Sequence, residues 1–205
     1  MSRFLENIIG RSMAFWNYFL PELKKITGNK FKDVDVDLMA RAVNDVKPSK
    51  IRVEADEVTY SLHVILRFDI ERELIAEEIN VDELPQIWNE KMAKFLGVKV
   101  ENDSEGVLQD IHWANSLYGY FPAYALGNVY DGMFIETMSK KLPRWQDSIA
   151  IGDFSNVLSW LKENIYEKGN TMDPFDMVKA ITGKEVDAQP FINYLNEKVK
   201  PAYDL

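Results

Sequence analysis

Residues 106–124 hold the densest group of side chains that could take part in chemistry. His112 is one of only two histidines in the sequence, and Tyr118, Tyr120 and Tyr124 follow it closely. A substrate pocket needs aromatic rings for shape, and phenol, imidazole and amide groups for directed hydrogen bonds. The same residues could instead form a buried aromatic cluster whose polar ends are satisfied locally. The residue types alone leave both interpretations open.

Arg52 is a second candidate, because it lies between apolar residues just ahead of a predicted helix start. The planar guanidinium group of arginine can bind a carboxylate through two parallel hydrogen bonds. The alternative is a structural ion pair with a nearby acidic side chain. The acidic residues close to Arg52 in the sequence are Glu54, Asp56 and Glu57.

The elements that must position these side chains are predicted to be helices, because apolar residues recur at spacings of three and four. Capping residues, glycines and prolines mark the predicted ends. The predicted helices span residues 2–27, 35–46, 56–78, 81–96, 121–142, 155–167, 173–182 and 190–199.

The segment around His112 is predicted to begin helical over residues 106–113 and to continue as an irregular turn. Pro122 then belongs in the first turn of the next helix. Helix starts direct amide donors towards whatever lies before them. A turn that carries His112, Tyr118 and Tyr120 onto such a start therefore suits a developing oxyanion.

The helix predicted over residues 56–78 carries the other histidine, His63, and an acidic run that begins at Glu71. His63 is interpreted as a core or half-buried residue that is hydrogen-bonded to a neighbour. The acidic run of Glu71, Glu73, Glu77 and Glu78 is interpreted as a solvated face. Two histidines with no partner at helical spacing could supply only part of a metal site.

Composition excludes several classes of protein. The net charge of −9 argues against a general nucleic-acid binder, which needs a basic face. No apolar run is long enough to predict a transmembrane helix, and no nucleophile elbow or phosphate loop is present. The absence of cysteine excludes disulfides and thiolate metal sites and fits the cytoplasm. The length predicts a single helical domain over residues 1–205.

Three segments, in order, resemble signatures of the Taq-type zinc metallocarboxypeptidase family. Residues 106–113 and 119–124 resemble its Gly-x-x-Gln-Asp-x-His-Trp and Gly-Tyr-Phe-Pro-x-Tyr signature. Residues 51–56 resemble its Ile-Arg-x-x-Ala-Asp motif, and residues 2–7 resemble the end of its His-Glu-Ser-x-Ser-Arg-x-x-Glu-Asn motif. The resemblance covers essentially the whole chain but only the C-terminal part of the family's length.

The resemblance implies an all-α fold that forms one lobe of a larger helical, zincin-like metallopeptidase. It implies that Arg52 binds the terminal carboxylate of a peptide from which a single residue is released. It also implies that His112 and Tyr120 are catalytic and stabilise the oxyanion of the tetrahedral intermediate. The other substrate-binding residues that it implies are Gln109, Tyr118 and Tyr124.

The family's zinc site is the part that this sequence lacks. No His-Glu-x-x-His segment, which supplies two zinc ligands and the general base, occurs in the chain. By the match, Met1 falls two residues after the glutamate that is the third ligand. We therefore expect zinc in the intact parent enzyme, no zinc ligand in this chain, and no activity of the chain alone. The partners implied are peptide C-termini, an N-terminal zinc-binding half and a second copy in a homodimer, with no nucleic acid and no membrane.

Two other functions stay open at this point. The chain could be a catalytically dead helical protein that acts by self-association or by complementing a separately encoded N-terminal half. It could also be an unrelated helical binding module that shares these motifs by chance. The DNA just upstream of the Met1 codon distinguishes a truncated reading frame from a short protein with its own start.

Overall fold

The computed structural model describes residues 1–203 and 205, with Asn29 described by its backbone only. This part of the chain is all-α and contains no strand, which confirms the predicted fold class. Its α-helices are α1 (Met13–Thr27), α2 (Val36–Val43), α3 (Tyr60–Ile75), α4 (Leu84–Leu96), α5 (Pro122–Lys141), α6 (Trp145–Ala150), α7 (Ser155–Leu161), α8 (Pro174–Thr182) and α9 (Gln189–Val199). Shorter elements are π-helices at Phe4–Ile9 and Lys162–Tyr166 and 3-10 helices at Gly28–Phe31, Arg52–Glu54, Val81–Glu83, Trp113–Asn115 and Lys200–Tyr203.

Capping residues set several helix ends where the sequence predicts them. Asp35 accepts a hydrogen bond from the Leu38 backbone N–H, and Asp173 caps α8 in the same way. Gly97 and Gly183 end α4 and α8 with φ angles of 67° and 74°, a left-handed conformation that glycine adopts without strain. Local side-chain chemistry therefore fixes these boundaries.

The first predicted helix, over residues 2–27, is divided between Gly10 and Ser12. The π-helix ends at Gly10, and Ser12, with extended backbone, starts α1 by accepting a hydrogen bond from the Phe15 N–H at 3.1 Å. Pro21 lies inside α1, which continues through it. The break falls at Ser12 because a side-chain acceptor there satisfies one of the free N–H groups of a new helix.

The prediction of a helical start over residues 106–113 is wrong. These residues form turns, and only the short 3-10 helix Trp113–Asn115 follows. The side chain of Asn102 accepts from the Glu105 N–H, and the Gln109 side chain donates to the Glu105 carbonyl. Such side-chain bonds compete with the helical ladder. Helix α6 was not predicted from the sequence.

The chain forms two compact units, which we call the terminal unit (residues 1–44 and 128–205) and the middle unit (residues 45–127). The prediction of a single helical domain over residues 1–205 stays a prediction. Among the described residues, no helix has both the length and the apolar composition required to cross a membrane.

The terminal unit has a core of large apolar side chains from the first π-helix and from α5 to α8. Members of this core that are at most 1% exposed are Phe4, Met133, Met138, Ile149, Val157, Leu161 and Val178. Within the same unit α1 packs against α2 and α6. Helix α9 approaches α5 closely, because a Cβ at Gly132 would lie 2.6 Å from the Cβ of Phe191.

The middle unit has two smaller apolar clusters, and it contains every site residue predicted from the sequence. One cluster joins α3 to α4 and includes Leu66, Ile70, Trp88 and Met92. The other joins α3 to the start of α5 through Tyr60, Val64 and Phe121. Both clusters also contact Trp113, which follows His112 in the chain.

The two glycines of α5 give a matched test of this packing. At Gly127 nothing lies within 4 Å of an added Cβ, whereas at Gly132 the added Cβ overlaps the Phe191 backbone. We expect Gly132→Ala to lower the free energy of unfolding by about 1–3 kcal/mol through overpacking. Gly127→Ala, the control, should raise it by about 1 kcal/mol through helix propensity. Urea denaturation of both variants checks this, and equal effects would contradict the close approach of α9.

Candidate functional site

Arg52 is almost completely buried and is paired with Asp110. Its Nε and Nη2 donate to Asp110 Oδ1 at 3.1 and 2.6 Å, and its Nη1 donates to the Tyr60 hydroxyl at 3.0 Å. The side chain is only 6% exposed. Burial opposes the charged form, but hydrogen bonding to Asp110 prevails and raises the pKa of Arg52. The ion-pair partner is thus Asp110 rather than one of the acidic residues adjacent in sequence.

Arg67 is a second buried arginine, which the sequence analysis did not single out. It is 0% exposed, and its Nε donates to Asp110 Oδ2 at 2.6 Å. Its guanidinium carbon lies 4.5 Å from the ring centroid of Trp88, within cation–π range. Burial lowers the pKa of Arg67 to about 10, so it stays charged at neutral pH. The feature of the sequence that could have indicated this burial is the position of Arg67 between Leu66 and Phe68, inside a predicted helix.

Asp110 therefore serves two guanidinium groups at once, with one oxygen bound by Arg52 and the other by Arg67. Burial would raise the pKa of Asp110, but the two arginines together hold it below its usual range. The three groups carry one net positive charge. This excess charge, enclosed by aromatic rings, is suited to attracting an anionic group.

Gln109 uses all its hydrogen-bonding capacity within the middle unit. Its Oε1 accepts from the Arg52 backbone N–H at 2.9 Å and from Arg67 Nη2 at 2.8 Å. Its Nε2 donates to the carbonyls of Lys50 and Glu105 at 3.0 and 2.8 Å. A side-chain amide has two donors and two acceptor positions. These bonds hold Gln109 against both arginines, and the substrate contact expected for it from the sequence stays a prediction.

His112 lies beside this arginine pair and in contact with aromatic rings. Its Nε2 is 3.0 Å from the Tyr124 hydroxyl, and its Nδ1, 3.8 Å from Asp110 Oδ1, has no hydrogen-bond partner among the described residues. The ring centroid lies 4.5 Å from that of Phe121. Burial lowers the pKa of His112, so the ring is neutral at neutral pH. A neutral imidazole can donate or accept one hydrogen bond at each nitrogen according to its tautomer.

The three tyrosines differ in their exposure. Tyr124 lies in the first turn of α5, with its ring 5.0 Å from the Arg52 guanidinium carbon, and burial raises its pKa. Tyr120 is 45% exposed, and its ring lies 5.5 Å from His112 and 5.2 Å from Tyr124. Tyr118 is 57% exposed in the preceding turn. The structure thus brings Arg52, His112, Tyr120 and Tyr124 together, with Tyr118 the most exposed of the tyrosines.

His63 occupies the interior of the middle unit, as expected, but without the predicted hydrogen bond. It is 0% exposed, and neither ring nitrogen has a hydrogen-bond partner among the described residues. Burial, together with the positive charges of Arg67 and Arg52, lowers the pKa of His63 to about 4. His63 is therefore a neutral ring at neutral pH.

Glu71 corrects one sequence interpretation, because it is buried rather than solvated. It is 3% exposed, and its Oε2 accepts from the Trp113 indole N–H at 3.2 Å. Its Oε1 accepts from the Gly119 backbone N–H. The helical period places Glu71 one turn after Arg67, on the same inward face of α3.

The donor set of these residues does not fit a zinc ion. Among residues 1–203 and 205, no three His, Cys, Asp or Glu side chains are grouped so that they could hold a metal. Both histidines lie close enough to Arg52 and Arg67 for the two positive charges to lower their pKa values. A cationic environment disfavours a divalent cation.

The sequence matches the family described as carboxypeptidase Taq (M32) metallopeptidase over residues 1–199. The chain belongs to this M32 family. It is 40% identical over 202 residues to carboxypeptidase 1 of Bacillus subtilis, covering 98% of this chain. It is also 40% identical to thermostable carboxypeptidase 1 of Thermus thermophilus, again over 98% of the chain. The crystal structure of the M32 carboxypeptidase from Deinococcus radiodurans, 36% identical, covers 100% of the chain with a TM-score of 0.96.

The chain spans only part of the length of these M32 relatives. It covers 40% of the Bacillus protein, 39% of the Thermus protein and 41% of the Deinococcus structure. The family resemblance predicted from the three segments is confirmed. The high TM-score shows that this length of chain adopts the same helical arrangement as the corresponding part of a complete M32 carboxypeptidase.

Removal of the shared charge at Asp110 tests the importance of the arginine pair. In Asp110→Asn, two buried guanidiniums lose their common counter-charge, and the new amide presents a donor to one of them. We expect the free energy of unfolding to fall by about 3–5 kcal/mol. Asp103→Asn, the same change at an exposed position, is the control. Urea denaturation measures the free energy of unfolding of both variants. A similar decrease in both would show that the arginines do not depend on Asp110.

The buried neutral His63 predicts a specific pH dependence. The unfolded chain takes up a proton at His63 below about pH 6.5, whereas the folded chain resists it until about pH 4. The contribution of His63 to stability is therefore complete above pH 6.5 and is lost as the pH falls towards 4, by up to about 3 kcal/mol. We expect His63→Leu to flatten the pH profile of unfolding in this window. Some pH dependence should remain in this variant, because burial also lowers the pKa of His112. If His63→Leu leaves the pH dependence of the free energy of unfolding unchanged, His63 is not buried as a neutral ring.

Proposed function

We propose that this chain is the C-terminal part of a zinc metallocarboxypeptidase that releases single residues from peptide C-termini. In this proposal the chain supplies the contacts to the substrate carboxylate and to the oxyanion. The zinc ligands and the general base belong to the part of the enzyme outside these 205 residues. Membership of the M32 family supports the activity, and the arrangement in the middle unit supports the division of roles.

One observation carries the proposal: the net positive charge of the Arg52–Asp110–Arg67 group beside His112 and Tyr124. In the described contacts each terminal nitrogen of Arg52 uses a single N–H, towards Tyr60 and Asp110 respectively. Each terminal nitrogen of a guanidinium carries two, so one on each is left for a ligand. A peptide carboxylate accepts such a pair of hydrogen bonds, and its charge offsets the excess positive charge.

The second role concerns the oxygen that becomes negative when a peptide carbonyl is attacked. Neutral donors that are already in place stabilise that charge without reorganisation. We assign His112 and the hydroxyl of Tyr120 to this role, because the two rings lie 5.5 Å apart and His112 lies beside the Asp110 carboxylate that pairs with both arginines. Tyr118 and Tyr124 shape the pocket, and Gln109 acts by holding Arg52 in place.

The partners in this proposal are peptide C-termini, the zinc-binding half of the enzyme and a second copy of the complete protein. We place the protein in the cytoplasm, in line with the absence of cysteine. No nucleic acid and no membrane takes part.

The first experiment measures zinc content and hydrolysis of a blocked dipeptide by the purified 205-residue chain. We expect neither stoichiometric zinc nor activity, and both together would overturn the division of roles. The second step adds the separately expressed zinc-binding part of an M32 relative and repeats the assay. Recovery of activity supports the proposal. Stable self-association without recovered activity would favour a catalytically dead protein that acts by association.

Tyr120→Phe tests the oxyanion role in the reconstituted enzyme. Loss of one donor should lower kcat by about 100-fold with little change in KM. Tyr166→Phe is a matched control, because Tyr166 is 44% exposed, close to the 45% of Tyr120, and lies in the terminal unit. An unchanged kcat in Tyr120→Phe would exclude its hydroxyl as an oxyanion donor.

A further inference from the structure

Helix α3 buries polar side chains at three positions that are spaced four residues apart. His63, Arg67 and Glu71 are 0%, 0% and 3% exposed, whereas Ile65 and Phe68 on the same helix are 40% and 46% exposed. An amphipathic helix normally shows the reverse pattern. Burial of a charged side chain is costly unless specific partners compensate for the lost water. The burial of Arg67 and Glu71 is compensated by the contacts that these two side chains make.

These contacts hold a segment that we call the tyrosine turn, residues 109–120, at both ends. Arg67 binds the side chains of Gln109 and Asp110 at the beginning of the turn. Glu71 accepts from the Trp113 indole and from the Gly119 backbone N–H further along it. The turn contains no regular element other than the 3-10 helix Trp113–Asn115, so side chains of α3 supply much of its support.

Glu71 occupies a particular place in this arrangement, because its two anchor points adjoin the two proposed oxyanion donors. Trp113 directly follows His112, and Gly119 directly precedes Tyr120. Gly119 has a φ angle of 74°, a left-handed conformation that glycine adopts readily, and the orientation of its peptide group sets where Tyr120 begins. One carboxylate thus holds the Trp113 side chain next to His112 and the Gly119 backbone next to Tyr120.

We propose that Glu71 is a positioning residue that sets His112 and Tyr120 relative to each other, acting through Trp113 and Gly119. It does not touch the substrate. The relevance of this role to catalysis rests on the proposed function, but the contacts themselves do not. A carboxylate suits the task because it accepts two hydrogen bonds from two N–H donors and has no hydrogen of its own to oppose them.

Glu71→Gln is the sharpest variant, because it keeps the shape of the side chain and removes one acceptor. The amide can accept from Trp113 or from Gly119, while its NH2 group faces the other donor. Trp113→Phe removes one of the two donors. In the double variant Glu71→Gln/Trp113→Phe the amide oxygen is free to accept from Gly119, so the Gly119 contact should return. If Glu71 acted only through its volume or its charge, the second substitution would not restore the Gly119 contact.

The first measurement uses the 205-residue chain and follows the Gly119 amide and Trp113 indole N–H signals by two-dimensional NMR. We expect at least one of them to shift in Glu71→Gln and the Gly119 signal to return towards its original position in the double variant. Glu78→Gln, an exposed change just beyond α3, should move neither. If neither signal moves in Glu71→Gln, the proposal is wrong. If Glu71→Gln does not fold, Trp113→Phe alone provides the test. Glu71 still accepts from the Gly119 N–H in this variant, so the Gly119 signal should stay in place. Loss of the Gly119 signal would contradict the proposal.

The second measurement compares kinetics in the enzyme reconstituted with its zinc-binding half. Misplacement of the oxyanion donors should lower kcat about 10- to 100-fold in Glu71→Gln with KM nearly unchanged. The double variant should recover part of the loss, and Glu78→Gln should match the unmodified chain. Shifted N–H signals with an unchanged kcat would overturn the positioning role. Absence of any activity in the reconstituted enzyme would instead count against the proposed function, while the NMR result would still decide whether Glu71 holds the turn.

Discussion

The carboxylate of Asp110, shared by Arg52 and Arg67, is the interaction on which the middle unit depends. It joins three segments that are distant in sequence: the 3-10 helix Arg52–Glu54, helix α3 and the tyrosine turn. Buried charges are tolerated only when they are paired and their remaining hydrogen-bonding positions are satisfied. Gln109 satisfies further donors of both arginines, so the charged group forms a connected network with little freedom to rearrange.

This network also sets the electrostatic character of its surroundings. Burial lowers the pKa values of His63 and His112, and the positive charges of Arg52 and Arg67 act in the same direction, so a proton on either histidine is disfavoured. Burial raises the pKa of Tyr124, which therefore keeps its proton as well. A fixed positive centre surrounded by neutral donors is the arrangement expected for binding an anionic group and stabilising a developing negative charge. It is also an unfavourable environment for a metal cation.

The chain belongs to the M32 family, and its described residues contain no group of side chains that could hold a metal ion. This length of chain corresponds to about two fifths of its relatives and superposes on one of them with a TM-score of 0.96. The polar network lies wholly within the middle unit, and all its contacts are made by residues in the range 50–124. Its geometry is therefore set inside this part of the chain.

The sequence by itself determined the family, the all-α class and most helix boundaries, because these depend on local patterns. Aspartate and glycine caps, proline positions and apolar spacing act within a few residues of one another. It did not determine that Arg52 pairs with Asp110, which lies 58 residues away, or that Arg67 and Glu71 are buried. Periodicity assigns charged residues to the solvent, and only the packing of α3 against the tyrosine turn supplies the partners that make their burial favourable. The same contacts explain why residues 106–113 form turns, since their side chains bind distant groups instead of supporting a helix.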